Sequence, residues 1–192
     1  LDRVLRRMVR KTKGLRVPQA VSAWEALVGS IIGQQVSVVA ATAMRSRFIK
    51  GLGVPHSSGL HCFPNPVTIA ALNVDELRKF GMSFAKASTI HRLATSIDSG
   101  AFSLNEVSTS NYFEILSRDL LCVKGVGPWT VNYTLLRGYA FLDGSLHGDV
   151  VIRKRIQQLL KKSMMSAGEV EQWLAQYRPW RGLLAAHLWA MS

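Results

Sequence analysis

The sequence predicts an all-α protein. Apolar residues recur at helical spacing in every long segment, no strict two-residue alternation flanked by hairpin turns occurs, and Ser or Asn repeatedly stands three residues before Glu. Of the 192 residues, 48% are hydrophobic and 19% charged, which is enough apolar material for a packed core and too much for a disordered chain. One or two compact lobes are expected.

Leu1, Val4, Leu5, Met8 and Val9 form one face of a first helix over residues 1–13, with Arg3, Arg6, Arg7, Arg10 and Lys11 opposite as a solvated face and Gly14 ending it. Trp24, Leu27, Val28, Ile31 and Ile32 continue that spacing until Gly33-Gln34-Gln35 interrupts it. Ser37 then caps a helix running through Val39, Ala40, Met44 and Phe48, so two helices meet at a polar elbow. Gly51 to Pro66, rich in Gly, Pro, Ser and His, reads as a long surface loop. His61 and Cys62 lie in it without companion ligands, so no metal site is expected. Asn73-Val74-Asp75-Glu76 reads as a capping box whose helix carries Leu77 and Phe80 to Gly81. The next helix runs through Ala87, Ile90, Leu93, Ala94 and Ile97 to Gly100. Ser103 to Glu106, Asn111 to Glu114 and Ser166 to Glu169 repeat the capping spacing.

Leu120 to Trp129 reads as a helix end, a tight turn through Gly125-Val126-Gly127 and a second helix opened by Pro128, whose missing N–H costs nothing in a first turn. Backbone N–H groups at such a helix start carry partial positive charge, so a phosphate can sit there without any sequence being read, and Lys124 adds a full charge. Taken alone, the turn is equally an ordinary helix–helix connection. Trp129 and Tyr133 lie four apart on the second helix, and no lysine stands between Pro128 and Gly138, so that stretch offers no amine nucleophile.

Lys plus Arg number 24 against 12 Asp plus Glu, giving a net charge of +12 and a pI near 10.3, which points to a polyanionic partner. The two cysteines, Cys62 and Cys122, are too few for a disulfide framework, a four-cysteine zinc site or a four-thiolate cluster; no cofactor is expected. The longest apolar runs, such as Val38-Val39-Ala40-Ala41, fall short of the roughly 20 residues of a membrane span, and no charged-then-apolar leader opens the chain. An intracellular chain is expected, in a bacterial cytoplasm or a nucleus, and Leu1 in place of Met suggests one trimmed of a leader or a further domain.

Lys124 to Tyr133 followed by Leu146-His147-Gly148-Asp149 resembles the helix–hairpin–helix DNA glycosylases, in particular their 3-methyladenine DNA glycosylase II branch. Ile31 to Ser37, Arg178-Pro179-Trp180-Arg181 and His187-Leu188-Trp189 match in the same order, so the resemblance runs from about Val17 to Trp189. It implies two helical lobes with a DNA-binding cleft between them: residues 23–141 carrying the hairpin, and residues 1–22 plus 142–192 carrying the catalytic Asp. Three departures stand out. An N-terminal α/β domain often found in the branch is missing from this sequence, His147 stands where Pro is common, and Gln35 stands where some members place an apolar wedge.

The resemblance implies that Asp149 is the catalytic carboxylate, stabilising the oxocarbenium-like sugar and orienting or deprotonating water. As an isolated residue before Val150-Val151-Ile152, the same Asp reads as a helix N-cap, and the two roles are compatible. Trp129 stands where lyase-competent relatives carry a Schiff-base lysine, which implies hydrolysis without strand cleavage. With Tyr133 and Trp189 it would line an aromatic pocket attractive to a cationic alkylated purine. Gln34 and Gln35 would enter the duplex behind a flipped nucleotide, Gln35 foremost. Gln34, Gln35, Lys124, Gly125 and Gly127 are thus the DNA-binding candidates, while Arg153, Lys154, Arg155, Lys161 and Lys162 add non-specific affinity. Arg181 either pairs with a carboxylate or holds a turn, and His187 reads as a core histidine. The expected activity is monofunctional removal of alkylated purines from damaged double-stranded DNA by a monomer, with no membrane involvement. Alternatives are a glycosylase for oxidised or mispaired bases and a non-catalytic helix–hairpin–helix DNA-binding module; only the latter has no need of Asp149.

Overall fold

A computed structural model describes residues 3–104 and 111–191. Leu1 and the side chain of Val4, assigned above to the first helix, lie outside the described residues, as does the Glu106 end of the Ser103 capping spacing. Among the described residues the structure is all-α, with a single isolated bridge between Pro55 and His61 and no strand. No helix is long and apolar enough to cross a membrane.

The helices run α1 (Arg3–Lys11), α2 (Ala23–Gly33), α3 (Val38–Leu52), α4 (Pro66–Ala70), α5 (Val74–Arg78), α6 (Phe84–Asp98), α7 (Tyr112–Leu121), α8 (Pro128–Tyr139), α9 (Val150–Leu160), α10 (Ala167–Ala175) and α11 (Arg181–Trp189). Their starts follow the capping chemistry of the sequence. Ser22, Ser37, Asn65, Ser83 and Asp149 each accept a backbone N–H from the first turn, and Asn73 and Ser166 form complete capping boxes with Glu76 and Glu169. Asn111 does not cap α7: at ψ 14° its backbone is not extended, so its side chain is not aimed at the helix amides.

Two further elements differ from the expectation. The segment expected to loop from Gly51 to Pro66 is helical to Leu52, and Asn65-Pro66 opens α4, a five-residue helix too short for a periodic signal. In α3, Val38 and Val39 are 82% and 80% exposed, so the buried stripe begins only at Met44 and Phe48. The first turn of α3 projects past the core together with the elbow.

Side chains pack into two apolar clusters. One is centred on α2 and includes Leu27, Phe48, Leu77, Ile90, Leu120 and Leu135; the other joins Leu5 and Met8 of α1 to Leu146, Ile152, Ile156, Val170 and Leu188. α2 contributes Trp24, Leu27, Val28, Ile31 and Ile32 as buried side chains, the pattern of a helix enclosed by its neighbours. α8 is shared: Val131 and Leu135 enter the first cluster, whereas Leu136 enters the second and Trp129 and Tyr133 pack against it. Gly138 lets α8 press close on α2, since a Cβ there would lie 2.9 Å from the Cα of Ala23. One face of α8 is thereby fixed, and its other face is turned toward α9 and α11.

Candidate active site and nucleic-acid interface

The turn between α7 and α8 is held from outside the helices it joins. Gly125 sits at φ +96°, where a side chain is strained, and a Cβ there would meet the hydroxyl of Thr89 at 2.2 Å. Thr89 of α6 donates to the Lys124 carbonyl at 3.0 Å, and Arg92 donates to the same oxygen at 3.3 Å. The Lys124 side chain is left exposed. Gly127 caps α8 with extended backbone and no side-chain partner for the first-turn amides, and nothing lies within 4 Å of where its Cβ would be. The amides of a helix start are thus presented on an open surface, the arrangement that accepts a phosphate oxygen.

The elbow between α2 and α3 is tied to this turn. Gln34 donates through its Nε2 to the Gly125 carbonyl at 3.0 Å and to the Thr130 hydroxyl at 2.9 Å. Lys86 fastens the end of α2 by donating to the Ile32 carbonyl at 2.8 Å. Gln35, by contrast, is exposed at φ +52°, beside exposed Val36, Val38 and Val39. Of the two glutamines, one is therefore a brace and the other stands at the tip.

Trp129 and Tyr133, one turn apart on α8, stack with ring centroids 5.1 Å apart, and Trp189 of α11 lies 6.0 Å from Tyr133. Asp149 at the start of α9 faces them. Its Oδ1 accepts the backbone N–H groups of Val151 (2.8 Å) and Ile152 (2.9 Å), and its Oδ2 accepts the indole N–H of Trp129 at 3.0 Å. The carboxylate is therefore both cap and cavity wall, with its second oxygen retaining acceptor capacity. These four side chains line a cavity of about 290 Å³ together with Gly29, Ser30 and Gly33 of α2 and Arg137 of α8.

The supports lie one layer out. Arg181 donates to both oxygens of Asp143, at 2.8 and 2.9 Å, fastening the start of α11 to the chain between α8 and α9. Burial pushes the Asp143 carboxyl up, but the hydrogen bonds and charge of Arg181 outweigh it and hold the group below the usual carboxylate range. At the far side of α11, His187 shares a 2.6 Å hydrogen bond with Thr12, and burial lowers its pKa. His147 bonds the Ser145 hydroxyl at 3.1 Å.

Residues 28–177 match the HhH-GPD superfamily of base excision DNA repair proteins. The chain belongs to that superfamily. This HhH-GPD chain is 29% identical over 178 residues to DNA-3-methyladenine glycosylase 2 of Escherichia coli strain K12, across 92% of the chain and 60% of the relative. It is 25% identical to the solved 3-methyladenine DNA glycosylase of Schizosaccharomyces pombe in complex with abasic DNA, with a TM-score of 0.79 over 98% of the chain and 91% of that structure. The fold is likewise that of the 3-methyladenine DNA glycosylase from Archaeoglobus fulgidus, with a TM-score of 0.79 at 23% identity, covering 98% of the chain and 65% of that one. The chain thus spans less than two thirds of the length of the E. coli relative.

Within the HhH-GPD fold, the aromatic and acidic candidates converge on one cavity, while Gln34, Lys124, Gly125 and Gly127 gather at the hairpin next to it. Sequence reasoning missed Gly29, Ser30, Gly33 and Arg137. For Arg137 a signal was present: residues 129, 133 and 137 share one face of α8, and its guanidinium lies 5.7 Å from the centre of the Tyr133 ring. The glycines gave none, because their contribution is empty space. The basic run Arg153, Lys154, Arg155, Lys161 and Lys162 is not drawn into the cavity lining. Among the described residues no cluster of His, Cys, Asp or Glu is placed to hold a metal ion, and Cys62 and Cys122 are exposed free thiols.

Proposed function

We propose that this protein is a monofunctional DNA glycosylase that flips alkylated purines of the 3-methyladenine type out of double-stranded DNA and hydrolyses their N-glycosidic bond in base excision repair. The observation that carries this reading is Asp149, whose carboxylate is pinned by two amides and the Trp129 indole at the wall of a cavity lined by three aromatic rings. The family and the relatives named above support it.

The hairpin amides and Lys124 hold backbone phosphates, and Gln35 fills the space the base leaves, offsetting an unstacking cost of a few kcal/mol. The lobe of residues 23–141 carries that grip, and the lobe of residues 1–22 plus 142–192 carries Asp149; the two apolar clusters support this division. As the C1′–N bond breaks, its electron pair leaves with the base and positive charge builds on the sugar. The Asp149 carboxylate stabilises that charge, and water adds to C1′ with loss of its proton to the carboxylate or to solvent. No step depends on an amine at position 129, so the product is an abasic site in an uncut strand. An alkylated purine already carries a weakened glycosidic bond, and the electron-rich rings favour its cation.

The test is a panel of duplexes, each with one modified base, treated with the protein and then with hot alkali. Breaks at alkylated purines that appear only after alkali are expected. Breaks without alkali disprove the monofunctional reading, and no breaks in any duplex disprove the glycosylase.

A further inference from the structure

Trp129, Tyr133 and Arg137 form a ladder along α8, an indole, a phenol and a guanidinium stacked at four-residue intervals. The first rung donates its N–H to Asp149. The last rung lies two turns on, about 12 Å along the helix axis at 1.5 Å per residue. All three line the same cavity, which therefore has an acidic end and a cationic end. Arg137 also lines an adjoining cavity of about 240 Å³ with Gln19, Glu25 and Arg45. The carboxylate there, Glu25, is taken by Arg45. Among the described residues Arg137 has no ion pair and no side-chain hydrogen bond, and its guanidinium lies 5.7 Å from the centre of the Tyr133 ring.

A base that places its glycosidic bond at Asp149 turns its opposite edge toward the cationic end. On a purine that edge includes the substituent at C6. Guanine and hypoxanthine carry a carbonyl oxygen there, an acceptor, whereas adenine carries an amino group that donates. A guanidinium has five N–H donors and no acceptor, so it hydrogen-bonds the first and meets the second donor against donor. A donor-only group held against the base discriminates against the mismatched analogue, because polar groups are then left unpaired.

We propose that Arg137 reads the C6 substituent of the flipped base and that the pocket prefers 6-oxopurines, alkylated guanine and hypoxanthine, over 6-aminopurines such as 3-methyladenine. This rests on the glycosylase reading of the same cavity and names the substrates favoured within it. The positive charge of Arg137 does not by itself bias the comparison between 3-methylguanine and 3-methyladenine. Both are cations when attached to the sugar, and their methyl groups occupy the same ring position.

The experiment treats DNA with a methylating agent and follows free 3-methylguanine and 3-methyladenine by chromatography, using wild type, Arg137→Gln and Arg137→Lys. An amide both donates and accepts, so Arg137→Gln accommodates either substituent, whereas lysine retains a donor-only group. Wild type is expected to favour 3-methylguanine, the Gln variant to lower that preference roughly 10- to 100-fold, and the Lys variant to keep part of it. A duplex with neutral hypoxanthine should follow 3-methylguanine, which separates the C6 oxygen from the C2 amino group of guanine. Because the readout is a ratio within one preparation, partial unfolding of a variant lowers both rates and leaves it unmoved. Release of both bases in the same ratio by all three proteins overturns the inference and leaves the glycosylase standing. Release of neither base by wild type overturns both.

Discussion

The hairpin and the pocket adjoin one another on α8, yet they are made of different material. The hairpin offers backbone: amides at the start of a helix, kept clear by two glycines and stiffened from behind by Thr89 and Gln34. The pocket offers side chains, three rings, a carboxylate and a guanidinium. Backbone amides are the same at every position, so a grip built from them holds any phosphate and reads no base. Side chains differ in charge, face and donor pattern, so the proposed function assigns discrimination and chemistry to the pocket. Binding and catalysis should therefore separate cleanly under mutation.

The largest effect is expected from Asp149→Asn. It keeps a side-chain oxygen near the α9 amides but removes the charge proposed to stabilise the transition state, so base release should fall at least about 100-fold while duplex affinity changes little. Single-turnover excision and equilibrium binding on the same substrate check it, and undiminished excision would remove Asp149 from the mechanism.

Next comes Gly127→Val. Extended backbone and open space around the missing Cβ mean the fold accepts it, whereas the approach of a phosphate does not. Affinity should fall by about tenfold on every duplex alike, with the melting temperature held. A loss confined to one lesion would show that the hairpin reads bases and would break the comparison. Gly125→Ala is the counterpart. At φ +96° and against Thr89 it should cost roughly 1 kcal/mol or more of stability, read by thermal melting, and weaken binding only through that loss.

The smallest effects concern the rings. Trp189→Ala should reduce release of cationic alkylpurines about 2- to 30-fold more than release of neutral hypoxanthine, since a cation–π contact is worth ~0.5–2 kcal/mol. Tyr133→Ala should act in the same direction but less, because the Tyr133 ring already has Trp129 and Arg137 against it. Equal loss for charged and neutral bases in both variants would assign the rings to shape alone.

Spacing and composition determined the helical class, the caps at Ser37, Asn73 and Ser166, the turn at Gly125 and the elbow, because each depends on residues within one or two turns of one another. Asp149 was visible locally only as a cap; its proposed catalytic role came from the family resemblance. Tertiary structure decided what depends on partners far along the chain. Gln34 became a brace because Gly125 and Thr130 lie within reach of it, 91 and 96 residues away. Arg181 found Asp143 across 38 residues, which its own neighbourhood left open. Asn111 failed as a cap because residue type permits capping and only the backbone angle aims the oxygen. The cavity itself is the clearest case. Gly29 and Gly33 contribute by leaving room, and Arg137 by having no ion pair or side-chain hydrogen bond among the described residues. Space and unmet hydrogen-bonding capacity belong to the assembled surface, so no reading of single residues along the chain contains them.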